Sequence, residues 1–389
     1  MRTNFTGKVF FYCVPPDTPD NTGYPHTMIC LGEGLKALGI DLYSNINYWR
    51  LSPDEEEYLF RHDPSITPQD CSIVIMNQDW FRVAKKPFPE NFFDSNQKYL
   101  TVYMDSDDGC KTHSYYPEFR QFDFIFKVSY NRYFRYPANF HPWAQGLSGR
   151  MLRELDNPPS FQEKKRKLLV NFREPYKIKH SVRRLVRKEF LPRVQTVLPV
   201  NNVVDSLDNF SSEPYHYLQW SQTGRRHSPT YFKSLKDTAA CACFGGFFVT
   251  PWPLDPSTQI SRLLKRILSE LKLKSNRIVD WDNWRFWESL AAGCVSVRED
   301  FDKYGCLLPV MPENWRHYIG VDLDNIQGTI EKIAADPEIL ERVGTEGRRW
   351  ALEHYTPVPV ALRFLETISK KHHEINLLKL ELNEIHRYK

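Results

Sequence analysis

With 389 residues, 41% hydrophobic and 26% charged side chains, the chain has an ordinary globular composition and enough length for two domains, each with a full core. A net charge of +4 argues little on a chain of this size, and no apolar run reaches the length of a membrane span. The eight cysteines, at 13, 30, 71, 110, 241, 243, 294 and 306, form no CxxC pair. Cys241-Ala-Cys243 lacks the further ligands a zinc site needs. Without a signal-peptide core at Met1–Gly7, the sequence reads as a cytosolic protein with reduced thiols, soluble or peripheral at a membrane. Aromatic residues make up 14%, with 10 Trp and 20 Tyr, a share that suits sugar stacking as well as large cores.

In chain order, Lys8–Cys13 is an apolar burst expected to form a first buried strand. The turn-rich loop Val14–Pro25 follows. The spacing of Met28, Leu31, Leu35 and Leu38 predicts a helix over His26–Leu38, stopped by Gly39, and Ile40–Tyr43 resumes as a strand. Strand, loop, helix, strand is a βαβ unit, which implies a parallel sheet with right-handed crossovers. Further buried strands are expected at Ser72–Met76, Lys98–Met104 and Phe122–Val128. This half reads as a Rossmann-like domain over residues 1–150, joined to the next by a linker at 151–166 containing Asn157-Pro-Pro-Ser160.

The same grammar restarts at Lys167. Leu168–Phe172 is a strand, Arg173–Lys179 a basic loop, Ser181–Phe190 a helix, Tyr231–Leu235 helical and Ala239–Phe244 a strand. Further on come a strand within Trp315–Leu323 and helices over Ile326–Ala334 and Pro337–Tyr355. This second domain spans 167–355. Residues 356–389 carry a helical period over Val358–Tyr388, able to cross back to the first domain or, by the tail after Lys370, to pair two copies into a homodimer. Lys164–Lys188 is crowded with cations, which suits a nucleotide diphosphate, an anionic lipid or a nucleic acid as readily as a solvated helix face. Asn201–Ser228 has weak periodicity and reads as a loop-rich connection.

The most informative stretch is Asp280–Val297. Asp280, Asp282 and Asn283 offer oxygens that could cap a helix. Phe286 and Leu290 give that helix an apolar face, Gly293 ends it, and Cys294–Val297 reads as a buried strand. Arg285 and Glu288 lie three apart on one face. A helix N-terminus beside a cation suits a diphosphate, and a carboxylate one turn on can accept hydrogen bonds from a ribose or sugar diol. The alternative for these two is a surface ion pair.

Trp284-Arg285-x-x-Glu288-x-Leu-Ala-Ala-Gly293-Cys-Val resembles the donor-site motif in the C-terminal domain of GT-B glycosyltransferases, exostosin-like and family-1-like ones in particular. The resemblance implies an α/β fold of two Rossmann-like doubly wound domains facing a cleft, with a C-terminal helix crossing back. It also implies sugar transfer from a nucleotide-diphosphate sugar to an acceptor hydroxyl, with the nucleotide sugar as co-substrate and neither cofactor nor obligatory metal. Arg173 and one of Lys177 and Lys179 are placed by it on the diphosphate, because ligands collect at the carboxyl ends of parallel strands. The order Tyr231, Leu235, Cys243 followed by the Gly245-Gly246 turn is similar to the segment lining the donor in exostosin-like relatives. Phe-Phe-Val-Thr-Pro-Trp after it departs from their usual loop. Asn283, Arg285 and Glu288 complete the donor set.

On the acceptor side, the loop holding Gly23 and Tyr24 leads to His26, whose imidazole could remove a hydroxyl proton near neutral pH or merely cap and pack. Asp105, Asp107 and Asp108 follow another strand and rival it as the base. Their DxD-like spacing falls outside the donor domain and is not read as a metal site. The acceptor itself, whether glycan, lipid-linked, small molecule or nucleic acid, is left open. A nucleotide-sugar epimerase or phosphorylase on the same fold, and a nucleic-acid-binding or nucleic-acid-glycosylating protein using the basic run, are the competing functions.

Overall fold

The computed structural model describes residues 7–15, 24–94, 96–106, 116–173, 180–203, 212–224, 229–249, 267 and 275–371. Its first sheet contains β1 (Lys8–Phe11), β2 (Asp41–Ser44), β5 (Ile73–Asn77), β6 (Leu100–Asp105), β7 (Phe124–Lys127) and β8 (Phe140–Pro142). The strands run in the order β2-β1-β5-β6-β7-β8, all parallel. β3 (Tyr48–Arg50) and β4 (Tyr58–Phe60) make a separate antiparallel pair beside it. Val9, Phe11, Ile73, Ile75 and Val102 are fully buried, as expected of strands in a parallel sheet covered on both faces.

The second sheet has β9 (Lys165–Val170), β10 (Val200–Asn202), β11 (Thr238–Ala242), β14 (Val295–Glu299) and β15 (Ile319–Val321). These are ordered β10-β9-β11-β14-β15 and again all parallel. The short strands β12 (Phe247–Phe248) and β13 (Ile278–Val279) pair antiparallel at its carboxyl edge. Each sheet is built outward in both directions from an interior strand, so each has a switch point where the order reverses, between β1 and β5 and between β9 and β11. Crevices for ligands form at such points. The expected α/β architecture of two Rossmann-like domains is therefore the one observed.

The helices that place the site are α1 (His26–Ala37), α2 (Gly149–Glu154), α3 (Pro229–Lys236), α4 (Trp284–Ala291), α5 (Ile339–Tyr355) and α6 (Pro357–Lys371). α6 crosses back to the first domain. Its Phe364 ring lies 5.1 Å from Phe126, and its first residue meets α1 so closely that a Cβ on Gly34 would fall 2.0 Å from the Pro357 carbonyl oxygen. The rest of the anticipated Val358–Tyr388 helix lies outside the described residues.

Several elements differ from expectation. β9 begins at Lys165, so Lys165, Arg166 and Lys167 are exposed residues of the strand itself. The helix expected over Ser181–Phe190 extends from Val182 to Val194 and contains a π turn at Val186–Phe190. Asn201–Ser228, read as a loop-rich connection, carries the end of β10 and a helix at Pro214–Gln222. Glu213 caps that helix by accepting from the Tyr215 and His216 amides, and Pro stands at its first position, a start signal. β8, β10, β12 and β13 are two or three residues long, too short to show a period. The seven cysteines among the described residues are buried free thiols. No described helix is long and apolar enough to cross a membrane.

Candidate functional site

The second-domain side of the cleft is assembled around α4. A Cβ on Gly293 would sit in a left-handed backbone, φ +63°, the conformation that stops the helix. Asn283 occupies the N-cap position, but its side chain does not cap. Its amide instead donates to the Cys243 carbonyl at 2.8 Å and the Trp281 carbonyl at 3.2 Å. That bond ties the start of α4 to the Gly245-Gly246 turn after β11. Both glycines are required there. A Cβ on Gly245 would come 2.8 Å from the Asn283 amide nitrogen, and one on Gly246, at φ +80°, 2.3 Å from the Val279 carbonyl oxygen.

Asp282 does not cap either. Its Oδ1 accepts from Trp287 Nε1 at 2.8 Å and its Oδ2 from the Gln145 backbone amide, also at 2.8 Å. Burial pushes this carboxyl up to about 6, against the pull of those N–H groups and of Arg298. Asp280, the third anticipated cap, has φ +52°, a conformation costly for a non-glycine residue.

Arg285 and Glu288 take separate partners. Arg285 donates through Nε to Asn171 Oδ1 at 2.7 Å, which joins α4 to the carboxyl end of β9. Glu288 is 1% exposed and accepts from the Tyr231 hydroxyl of α3 at 2.8 Å. Tyr231 is buried, and both burial and the neighbouring Glu288 carboxylate raise its hydroxyl well above its ordinary range. So Asn171, Tyr231, Arg285, Glu288 and the Gly245-Gly246 turn converge at the β9/β11 switch point. Arg173, at the end of β9, is exposed beside them. Lys177 and Lys179 lie outside the described residues.

The basic run does not form a single face. Arg183 and Arg187 lie over the Phe172 ring, 5.8 and 5.1 Å from its centroid. Arg183 donates to the Phe244 carbonyl at 3.0 Å and Arg187 to the Phe172 carbonyl at 2.8 Å. They tie down the segments that follow β9 and β11 at the switch-point crevice. Lys164 is buried and donates to the Lys236 and Ala292 carbonyls. A cation at these two helix C-termini is favourable, although burial lowers the ammonium below its ordinary range.

The first-domain side differs. His26 opens α1 at 2% exposure. Its Nε2 lies 3.1 Å from the Gly146 carbonyl oxygen and its Nδ1 3.0 Å from the Tyr24 hydroxyl. A carbonyl only accepts, so Nε2 carries the proton and in the neutral ring Nδ1 holds the lone pair. Cys30 Sγ reaches the Leu147 carbonyl and Glu33 accepts from the Gly149 amide. Residues 26, 30 and 33 thus form one stripe of α1 that grips the backbone leaving the first domain. Burial pushes Glu33 up to about 7, opposed by the Gly149 amide and by Arg153 and Arg150. Tyr24 stacks on Trp49 at 5.6 Å and meets Trp284 edge-on at 5.2 Å, so aromatic rings from both domains close the cleft.

Asp105 is wholly buried. It is the direct cross-strand neighbour of Lys127, and the two form a buried ion pair at 3.0 Å. Gly23, Asp107 and Asp108 lie outside the described residues. Sequence reasoning brought Asn171 to the cleft at the end of its strand but gave it no role, and it missed Gln145 and Ser129; the partners of all three lie more than a hundred residues away in the chain. Asn171 alone carried a signal, as a polar residue ending an apolar strand.

No protein-family model and no curated protein matches the sequence. Among solved structures, the chain is similar to an alpha-glucosyltransferase in complex with UDP-glucose and DNA containing an abasic site. Identity is 10% and the TM-score 0.49, over 93% of this chain and 98% of that one. It is also similar to AviGT4, a glycosyltransferase involved in avilamycin A biosynthesis, at 13% identity and TM-score 0.49, over 92% of this chain and 96% of that one. A complex of S. aureus TarM containing UDP matches at 10% identity and TM-score 0.41, over 75% of this chain. The chain spans 55% of TarM's length.

Proposed function

We propose that this protein is a glycosyltransferase that moves a sugar from a nucleotide-diphosphate sugar to an acceptor hydroxyl without an obligatory metal. The observation that carries the reading is the convergence of Arg285, Glu288, Asn171 and Tyr231 at the switch point of the second sheet. In this reading Arg285 and Arg173 neutralise the departing diphosphate as the sugar carbon becomes positive. Glu288, held by Tyr231, accepts from ribose or sugar hydroxyls. The glycines at 245 and 246 let backbone approach the donor.

His26 is the candidate base. With Nε2–H on Gly146, its Nδ1 lone pair would take the acceptor proton only if the acceptor hydroxyl displaced that of Tyr24. Without such displacement, the proton leaves on the donor diphosphate itself.

The test is a thermal-shift and calorimetry panel of nucleoside diphosphates and their sugars, followed by assay for nucleotide release with and without acceptors. One of them should stabilise the protein by about 2.7 kcal/mol at a hundredfold excess over its dissociation constant. Turnover of donor or sugar phosphate without any acceptor would favour an epimerase or phosphorylase. Salt-sensitive retention of DNA or RNA with no nucleotide-sugar binding would overturn the proposal.

A further inference from the structure

The start of α4 is held from both sides of the cleft. On its own side, the wholly buried Arg298 donates to the Trp281 carbonyl at 2.7 Å, with Glu299 paired behind it and the rings of Trp281, Phe286 and Phe301 around it. That fixes residue 281 to the second sheet. Asp282 and Trp284 are held from the opposite domain, while Asn283 between them stays on the Cys243 carbonyl of its own domain. The Asp282 amide donates to Ser129 Oγ at 3.0 Å, Asp282 Oδ2 accepts from the Gln145 amide, and Trp284 Nε1 donates to Gln145 Oε1 at 3.2 Å. Ser129 and Gln145 follow β7 and β8, at the carboxyl edge of the first sheet. Ser129 has φ +55° and Asp280 φ +52°, so a strained residue stands on each side of this junction.

From this geometry we infer that Gln145 and Ser129, in the domain that does not carry the donor residues, are positioning residues for the donor site. They act through Asp282 and Trp284 on α4. Asp282 is the element that couples the two. One carboxylate oxygen bonds the opposite domain and the other bonds Trp287 inside α4. Arg285 and Glu288 follow directly on this segment, so parting the domains would free Asp282 and Trp284 of these bonds and Trp281 of its indole bond to the Tyr130 carbonyl, while the Trp281 backbone stays on Arg298 and Asn283 on Cys243. The donor grip is then complete only when the domains are apposed, and nucleotide binding in turn favours apposition. The inference rests on the donor-site reading above.

The decisive variants are Ser129→Ala, which removes the acceptor of the Asp282 amide, and Gln145→Ala, which removes the acceptor of Trp284 Nε1 but keeps its backbone amide on Asp282; both leave every donor-side residue intact. Each should weaken nucleoside-diphosphate binding by about three- to tenfold, the scale of one lost hydrogen bond. Melting temperature should change little. Donor KM should rise more than kcat falls. The effect of Gln145→Ala should shrink in an Arg285→Ala background, because a residue acting through the placement of Arg285 couples to it, whereas a merely structural one adds independently. Hydrogen exchange of the α4 amides in the nucleotide-free protein should quicken in both variants. Parent-like binding by both variants, or strict additivity with Arg285→Ala, would overturn the inference and leave the donor site standing. A parent protein that binds no nucleoside diphosphate would bring down both.

Discussion

At the carboxyl edge of the second sheet, polar side chains engage one another across the β9/β11 switch point. Arg285 meets Asn171, and Glu288 meets Tyr231. At the corresponding edge of the first sheet, the polar residues hold backbone and core: His26 sits on the Gly146 carbonyl and Asp105 on Lys127. Both sets lie near the ends of parallel strands, so being at a strand end does not separate them. Side-chain direction does. Asp105 is in register with Lys127 of the adjacent strand, and directly opposed residues share a sheet face. Its carboxylate is therefore directed at its neighbour. Arg285 and Glu288 project from a helix that starts at the crevice, where three-residue spacing keeps both on the face turned to β9 and α3.

The largest effect that could break this contrast is expected at Lys127. If Asp105 is a core carboxylate, Lys127→Ala should leave it buried without its cation and cost about 3–5 kcal/mol of stability, read by denaturant unfolding. An Asp105→Asn protein of unchanged stability that has lost transfer activity would instead return Asp105 to the chemistry.

Next in size are Arg285→Ala and Glu288→Ala. If the proposed donor site is right, each loses a charge-assisted hydrogen bond to the nucleotide sugar and should weaken its binding by roughly 1.5–3 kcal/mol. Glu288→Gln, which still accepts from Tyr231, should keep the fold where Glu288→Ala loosens the packing against α3. Donor affinity by calorimetry that is unchanged in both alanine variants would erase the difference between the two halves.

How much of this was legible in the sequence follows from the distance over which each feature is determined. The motif from Trp284 to Gly293 is local: one helix, one stop and one strand in a short run, so spacing and side-chain chemistry suffice. The α1 helix and the buried strands of both sheets were readable for the same reason. The partners of the motif are not local. Asn171, Gln145 and Ser129 are brought to α4 by sheet order and domain apposition, which no spacing records. The caps expected of Asp282 and Asn283 were misread because tertiary partners set both side chains: the Gln145 amide and Trp287 indole take the Asp282 oxygens, and the Cys243 carbonyl orients Asn283 through its Nδ2. The helix at Pro214–Gln222 was missed because its polar and aromatic residues leave no clear apolar stripe.

The smallest expected effect is read through pH. Glu33, on the same stripe of α1 as His26, is raised from 4.5 to about 7 by burial. Between those values the folded protein holds a proton that the unfolded chain has released, so ν is larger in the native state and stability falls as pH rises. The contribution of the protonated carboxyl is complete below about pH 4.5 and lost as pH passes 7. Glu33→Gln keeps an acceptor for the Gly149 amide but cannot ionise. It should flatten the stability curve between pH 5 and pH 7 by on the order of 1 kcal/mol, measured by urea unfolding at several pH values. Arg150 and Arg153 oppose the effect, because they favour the ionised form and lose that partner in the variant. A variant whose stability still falls as steeply as the parent's across this range would show that the near-neutral proton is held elsewhere, and the buried Asp282 carboxyl, raised to about 6, would be the next side chain to substitute.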